Sequence, residues 1–151
     1  MTHDFRIGLI GLGRIGAFHA DTLAALPGVR SLVVADANRG LAESVGAKFG
    51  ADIAETPQAL LDSRPDGVVI AAATDAHPGL LLATIAAGIP TFCEKPVATS
   101  LEETVALVDE VEQAAGRGDE DVDAVAQLVD LRLHADAAEH DHALQRQVFA
   151  I

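Results

Sequence analysis

Gly11-Leu12-Gly13-Arg14-Ile15-Gly16 is the segment that most narrows what this chain can become. It is a G-x-G-x-x-G run standing between two recognisable elements. Before it lies Phe5–Ile10, a short apolar run ending at glycines, which reads as a buried strand. After it, from Ile15 to Leu26, the residues Ile15, Phe18, Thr22, Leu23 and Leu26 recur at helical spacing, closed by Pro27-Gly28. A strand that turns through glycines directly into a helix is the opening unit of a layered α/β fold.

The same alternation continues. Ser31–Ala35 reads as a second strand and Arg39–Phe49 as a second helix stopped by Gly50. Asp52-Ile53 is expected as a short strand and Pro57–Asp62 as a short helix. Gly67–Ala73 (GVVIAAA) is the strongest buried-strand signal, followed by a helix over Pro78–Ala87 and a strand over Pro90–Cys93. Leu101–Ala115 has the clearest periodicity, with Leu101, Thr104, Val105, Val108, Val111 and Ala115 in step and Ser100 and Glu103 as a capping box. Strands alternating with helices at this spacing predict a doubly wound parallel sheet, a Rossmann fold, with helices on both faces.

In that context the glycine run carries chemistry. Gly11 permits the tight turn, Gly13 keeps side chains away from an approaching pyrophosphate, and Gly16 lets the helix pack on the strand. The helix start offers free N–H groups, Arg14 and Ile15 among them, and the positive end of its dipole to phosphate. Asp36 lies twenty residues beyond Gly16, at the end of the second strand. There it would accept hydrogen bonds from ribose hydroxyls and repel a 2′-phosphate, which favours NAD over NADP. Arg39, three residues on, argues the other way. The plainer alternative for Asp36 is a helix N-cap.

Composition sets the frame. The chain has 151 residues, room for one domain, and half are hydrophobic, enough for a core built from Ala, Val, Leu and Ile. Its net charge is -13, which repels nucleic acid and anionic lipid. A lone cysteine, Cys93, excludes an internal disulfide and a cysteine-based zinc cluster and suits a reducing cytosol. No apolar run approaches bilayer length, and the N-terminus lacks the regions of a signal peptide, so a cytoplasmic protein is expected.

Two strands deliver polar residues to the carboxyl edge of the predicted sheet. One runs into Thr74-Asp75-Ala76-His77-Pro78, the other into Glu94-Lys95-Pro96. Small residues, including Ala72, would let a flat ring approach the backbone. A lysine there could hold a substrate hydroxyl or carry its proton. The plainer alternatives are a helix-start or surface histidine for His77, a Glu94–Lys95 surface pair, and a small buried hydrophobe for Cys93.

Together Ile7–Ala20 (IGLIGLGRIGAFHA), Val33–Asp36 (VVAD), Gly67–Pro78 (GVVIAAATDAHP) and Ala87–Pro96 (AGIPTFCEKP) resemble the Gfo/Idh/MocA oxidoreductases, and among them bacterial inositol 2-dehydrogenases. The resemblance covers about residues 5–115. It implies a nicotinamide-dependent oxidoreductase acting on a sugar or polyol. Carried over by position, Gly11, Gly13, Gly16 and Asp36 would bind the adenosine end of NAD. Ala72, Thr74 and His77 would line the nicotinamide side. Glu94 and Lys95 would flank the reacting centre, with Lys95 as the catalytic contact to the substrate hydroxyl.

Composition changes near Gly116. Residues 116–151 carry 3 basic and 8 acidic side chains, no proline, and no glycine after Gly118. They read as an acidic tail in place of the family's substrate domain, which implies a truncated chain with little or no turnover alone. In the tail Val125, Leu128, Val129 and Leu133 fit a helix, the preferred expectation, while Val129, Leu131 and Leu133 alternate like a strand. A metal site from His134, Glu139, His140 and His142 is outweighed by a solvated acidic tail, so no metal is expected. Whether the tail is native or a frameshift product stays open; translating the other two frames after codon 116 separates the cases. The alternative function is a non-catalytic NAD-binding module, either half of a split enzyme or a redox sensor. Expected partners are a polyol or sugar when the chain is complemented, and a complementing domain or a second copy, since a missing domain would leave apolar surface exposed.

Overall fold

The computed structural model describes residues 4–115. The domain boundary at 115/116, the tail helix and the tail histidines lie outside them. Five strands, β1 (Phe5–Ile10), β2 (Val29–Ala35), β3 (Asp52–Ile53), β4 (Gly67–Ile70) and β5 (Thr91–Cys93), form one sheet in the order β3-β2-β1-β4-β5. Every neighbouring pair is parallel. The helices between them are α1 (Arg14–Ala25), α2 (Arg39–Phe49), α3 (Pro57–Asp62) and α4 (His77–Ala86), and α5 (Leu101–Ala115) follows β5. The strand order reverses at β1, and the chain therefore winds in both directions from the glycine turn.

Adjacent residues of β1 show why both faces are covered. Leu9 belongs to an apolar cluster with Ala20 of α1 and with Ala42 and Val45 of α2. Gly8 points the opposite way, where a Cβ would press on Leu60 of α3 at 2.7 Å. Successive strand residues face opposite sides, so α1 and α2 pack on one face and α3, with α4 beside it, on the other. Leu9, Val34, Leu60 and Ile70 are fully buried.

Helix ends follow local chemistry. Asn38 Oδ1 accepts from Gly40 N at 3.0 Å at the start of α2, and Thr56 Oγ1 accepts from Ala59 N at 3.0 Å before α3. Ser100 Oγ accepts from Glu103 N at 3.1 Å, as the capping box predicts. The Glu103 carboxylate turns back to the N–H and hydroxyl of Thr99, which lowers its pKa.

Three expectations are corrected. The strand from Gly67 stops at Ile70 rather than Ala73, because β1 turns away at Gly11 and leaves Ala71–Ala73 without a partner strand; a 3-10 turn over Thr74–Ala76 then leads into α4. In α1 the buried residues are Gly16 and Ala20, with Leu23 packed beside them, while Ile15, Phe18 and Leu26 are exposed. The cause is Gly16: a Cβ there would fall on the carbonyl oxygen of Gly11, so the helix has to turn this position towards the strand. Rotation then follows from 3.6 residues per turn and puts Ile15 and Phe18 outside. In α5 the buried face is Leu107 and Val111, flanked by Thr104 and Val108, and Leu101 is 80 % exposed.

Gly16→Ala is expected to destabilise the fold by about 2–3 kcal/mol, the cost of overpacking where backbone cannot yield. Urea denaturation measures it. A midpoint equal to the parent's would mean that α1 can move off the turn.

Candidate functional site

The glycine turn crosses the end of β4. Gly11 has φ +89°, a left-handed conformation that disfavours side chains, and a Cβ on it would collide with the backbone of Ala72. Gly13 is different: it is extended, and a Cβ there would meet nothing within 4 Å. The room beside it is open to whatever docks. Gly13 is also the N-cap of α1 and gives no side-chain cap, so the first N–H groups of this twelve-residue helix face that room without a side-chain acceptor.

An open groove of about 480 Å³ follows from this crossing. Gly11, Gly13, Arg14, Ile15, Asp36 and Ala72 line it, joined by Leu41, Ala71 and Ala73. Six of the positions singled out from sequence thus meet in one groove, and Gly16 supports it from below. Leu41 was not singled out. It is 37 % exposed, a large apolar side chain left at the surface in the first turn of α2, and nothing in the local sequence marks it.

Asp36 closes one end. Its Oδ2 accepts from Leu12 N at 2.6 Å and its Oδ1 from Asn38 N at 2.6 Å. The carboxylate ties the glycine turn to the end of β2. An ionised carboxylate has about four acceptor positions, so roughly two stay open. Asp36 is not the cap of α2; Asn38 is. Arg39 pairs with Glu43 one turn along α2, Nε to Oε1 at 2.9 Å, in full solvent.

At the other end the ladder between β4 and β5 sets Ile70 beside Cys93, and Glu94 N donates to the Ile70 carbonyl at 2.9 Å. Glu94 and Lys95 therefore leave the sheet next to Ala71. Thr74 opens the 3-10 turn, and its carbonyl accepts from the His77 N–H. His77 begins α4 and is 2 % exposed, beneath the surface. Its Nδ1 lies 2.9 Å from the Pro96 carbonyl oxygen and its Nε2 3.0 Å from that of Ala72. Both partners only accept. The neutral ring serves one at a time and serves both only when it carries two protons. Thr74, His77, Glu94 and Lys95 stand outside the groove wall, behind or beside its Ala71–Ala73 edge.

Glu94 does not pair with the Lys95 ammonium. Its Oε1 accepts from His19 Nε2 at 2.7 Å, and its Oε2 accepts from the Lys95 backbone N–H at 3.3 Å. Lys95 is exposed and makes no ion pair among the described residues. His19 was missed from sequence. It sits three residues after Gly16, hence on the face that Gly16 turns inward, and that spacing was the available signal.

Cys93 is half-buried, and burial first, then the Glu94 charge, pushes its thiol up to about 12. It is a protonated side chain, with Sγ donating to the Glu94 carbonyl at 3.5 Å. The described residues hold no group of three or more His, Cys, Asp or Glu placed to bind a metal, and no helix among them is long and apolar enough to cross a membrane.

A parallel sheet wound both ways from a glycine turn, with an uncapped helix and an acidic strand end beside it, defines a dinucleotide-binding α/β domain. Residues 5–121 match the Gfo/Idh/MocA model, described as an oxidoreductase family with an NAD-binding Rossmann fold. Inositol 2-dehydrogenase 2 of Saccharopolyspora erythraea is 41% identical over 114 residues, covering 74% of this chain and 33% of that protein. The scyllo-inositol 2-dehydrogenase (NAD(+)) of Bacillus subtilis is 34% identical over 116 residues, covering 75% and 34%. The crystal structure of the WlbA dehydrogenase from Bordetella pertussis with NADH and UDP-GlcNAcA aligns with TM-score 0.67 and 28% identity, covering 74% of this chain and 35% of that one. The chain belongs to the Gfo/Idh/MocA oxidoreductases and comprises their NAD-binding domain, with inositol dehydrogenases among its relatives. It spans about a third of the length of the curated relatives it matches.

The Cys93 thiol yields a prediction. At pH 8, alkylation by iodoacetamide should be roughly a hundredfold or more slower in the folded chain than in urea, because the thiolate is the nucleophile. The folded state holds this proton more tightly than the unfolded one. The associated stability is present below the ordinary thiol value of 9.0 and is lost as pH rises from there towards 12. Equal alkylation rates in the two states would refute the assignment.

Proposed function

We propose that this chain is the cofactor-binding part of an oxidoreductase that uses NAD and acts on a polyol or sugar of the inositol class. The observation that carries this reading is the open space at Gly13 facing the uncapped start of α1. A pyrophosphate fits there on backbone N–H groups and the helix dipole, with Arg14 and Ile15 at its sides. The open acceptor positions of Asp36 suit the adenosine ribose hydroxyls, and Leu41 offers apolar surface to the adenine. The Asp36 charge disfavours a 2′-phosphate and supports NAD rather than NADP. Bound there, NAD supplies the acceptor for a hydride from a substrate C–H.

The remaining roles belong to the chain. Ala71–Ala73 present bare backbone to the nicotinamide side, with Ala72 at the crossing, and Thr74 borders it. Glu94 and Lys95 flank the reacting centre, and the Lys95 ammonium contacts the substrate hydroxyl. His77 is assigned here as a positioning residue rather than a direct cofactor contact, because its ring is buried and engaged with two carbonyls. An α/β domain would complete the substrate pocket by supplying an acid/base group, whose loss costs on the order of 10²–10⁴ in rate, and by orienting the substrate, whose loss costs more. A cytosolic location belongs to the same proposal.

A second reading is favoured by the groove wall, which among the described residues does not include Thr74, His77, Glu94 or Lys95: a non-catalytic NAD-binding module, the half of a split enzyme or a redox sensor. Adding the α/β domain of an inositol dehydrogenase separates the two. Restored polyol oxidation supports the enzyme, and none, with NADH still bound, supports the module.

Titration with NADH, followed by nicotinamide fluorescence, should saturate in the micromolar range. Asp36→Ala should weaken binding by about tenfold to a hundredfold, the loss of charge-assisted hydrogen bonds. Gly13→Val should abolish it by filling the open space. No saturation in a chain that circular dichroism shows to be folded would overturn the proposal.

A further inference from the structure

His19 takes no part in the cofactor groove, yet its position is specific. It lies on α1, the helix whose N-terminus faces the groove, and its Nε2 is 2.7 Å from Glu94 Oε1. An ionised carboxylate only accepts, so the His19 proton sits on Nε2 and is donated. The imidazole also lies edge-on to two phenylalanine rings, with centroids 6.1 Å from Phe18 and 5.7 Å from Phe92. Both atoms of this bond are largely withdrawn from solvent, their side chains 18% and 27% exposed. The second Glu94 oxygen receives the Lys95 N–H, and one residue further the Pro96 carbonyl faces His77. The Glu94-Lys95-Pro96 turn is thus held from both sides by histidines, one on α1 and one on α4, with the Lys95 side chain exposed between them.

We propose that His19 is a positioning residue: its bond to Glu94 fixes the turn that carries Lys95 and ties that turn to the helix that would grip the cofactor phosphates. The proposal rests on the reading that Lys95 meets the substrate. The physical logic is entropic. A lysine stem has several rotatable bonds, so its ammonium can be aimed only if its backbone is fixed. The edge strand β5 is three residues long and pairs on one side only among the described residues, which leaves the turn beyond it dependent on side-chain ties.

The test is amide hydrogen exchange at Lys95, read by NMR on the chain without ligand. His19→Phe keeps a ring between Phe18 and Phe92 but removes the donor. His19→Gln restores a donor near the Nε2 position. Lys95 should exchange about tenfold faster in His19→Phe, as expected for loss of one hydrogen bond, and close to the parent rate in His19→Gln. The amides of Val33 and Val34 in β2 should stay unchanged and report an intact sheet. Unchanged Lys95 exchange in His19→Phe overturns the proposal. So does fast exchange in His19→Gln with slow exchange in His19→Phe, which would assign the tie to ring packing. Exchange is read without NADH. A failed NADH titration therefore sinks the cofactor reading and leaves this result standing, and the reverse also holds.

Discussion

The crossing of the Gly11 turn over the end of β4 is the constraint on which the rest of the molecule depends. The backbone of Ala72 passes so close to Gly11 that no side chain fits, and Gly16 in turn rests on the Gly11 carbonyl. The glycine turn, the first turn of α1 and the distant Ala72 segment are therefore locked at backbone distance. The consequences spread outward by geometry. The rotation of α1 is set, its uncapped start is aimed at the space beside Gly13, and Ala71–Ala73 are drawn out of the sheet to form the groove wall.

Asp36 adds the second fixed point. Its carboxylate accepts two backbone N–H groups, one from the glycine turn and one from its own loop. The same group that would read a ribose also holds the turn that would hold the phosphates. Charge and shape at this end are coupled through one side chain, and hydrogen bonds to an ionised acceptor are among the stronger ones available to a protein.

The opposite end is built differently. No glycine crossing fixes Glu94-Lys95-Pro96; two histidines do, His19 on the carboxylate and His77 on the carbonyl. Both imidazoles turn their polarity inward to backbone and carboxylate. The exposed apolar side chains nearby, Phe18 at 67 % and Phe92 at 48 %, flank this end of the domain rather than the Asp36 end.

The element order, the parallel sheet and the residues of the glycine turn are legible in the amino-acid order, because strand and helix periods and glycine punctuation are local signals. The same order places Asp36 and Ala72 in one groove, since in a doubly wound sheet all strand carboxyl ends share an edge. The rest depends on packing between elements. Apolar spacing in α1 fits more than one rotation, and only contact between Gly16 and Gly11 selects the one that buries Ala20 and exposes Phe18. The end of β4 was set by where its neighbour turns away, which no property of Ala71–Ala73 reveals. The Glu94–His19 bond spans 75 residues of chain, and the burial of His77 depends on the Pro96 carbonyl nineteen residues on. Such pairings are legible only after packing, because the side chain's own chemistry is the same whether its partner is water or a residue brought to it by the fold.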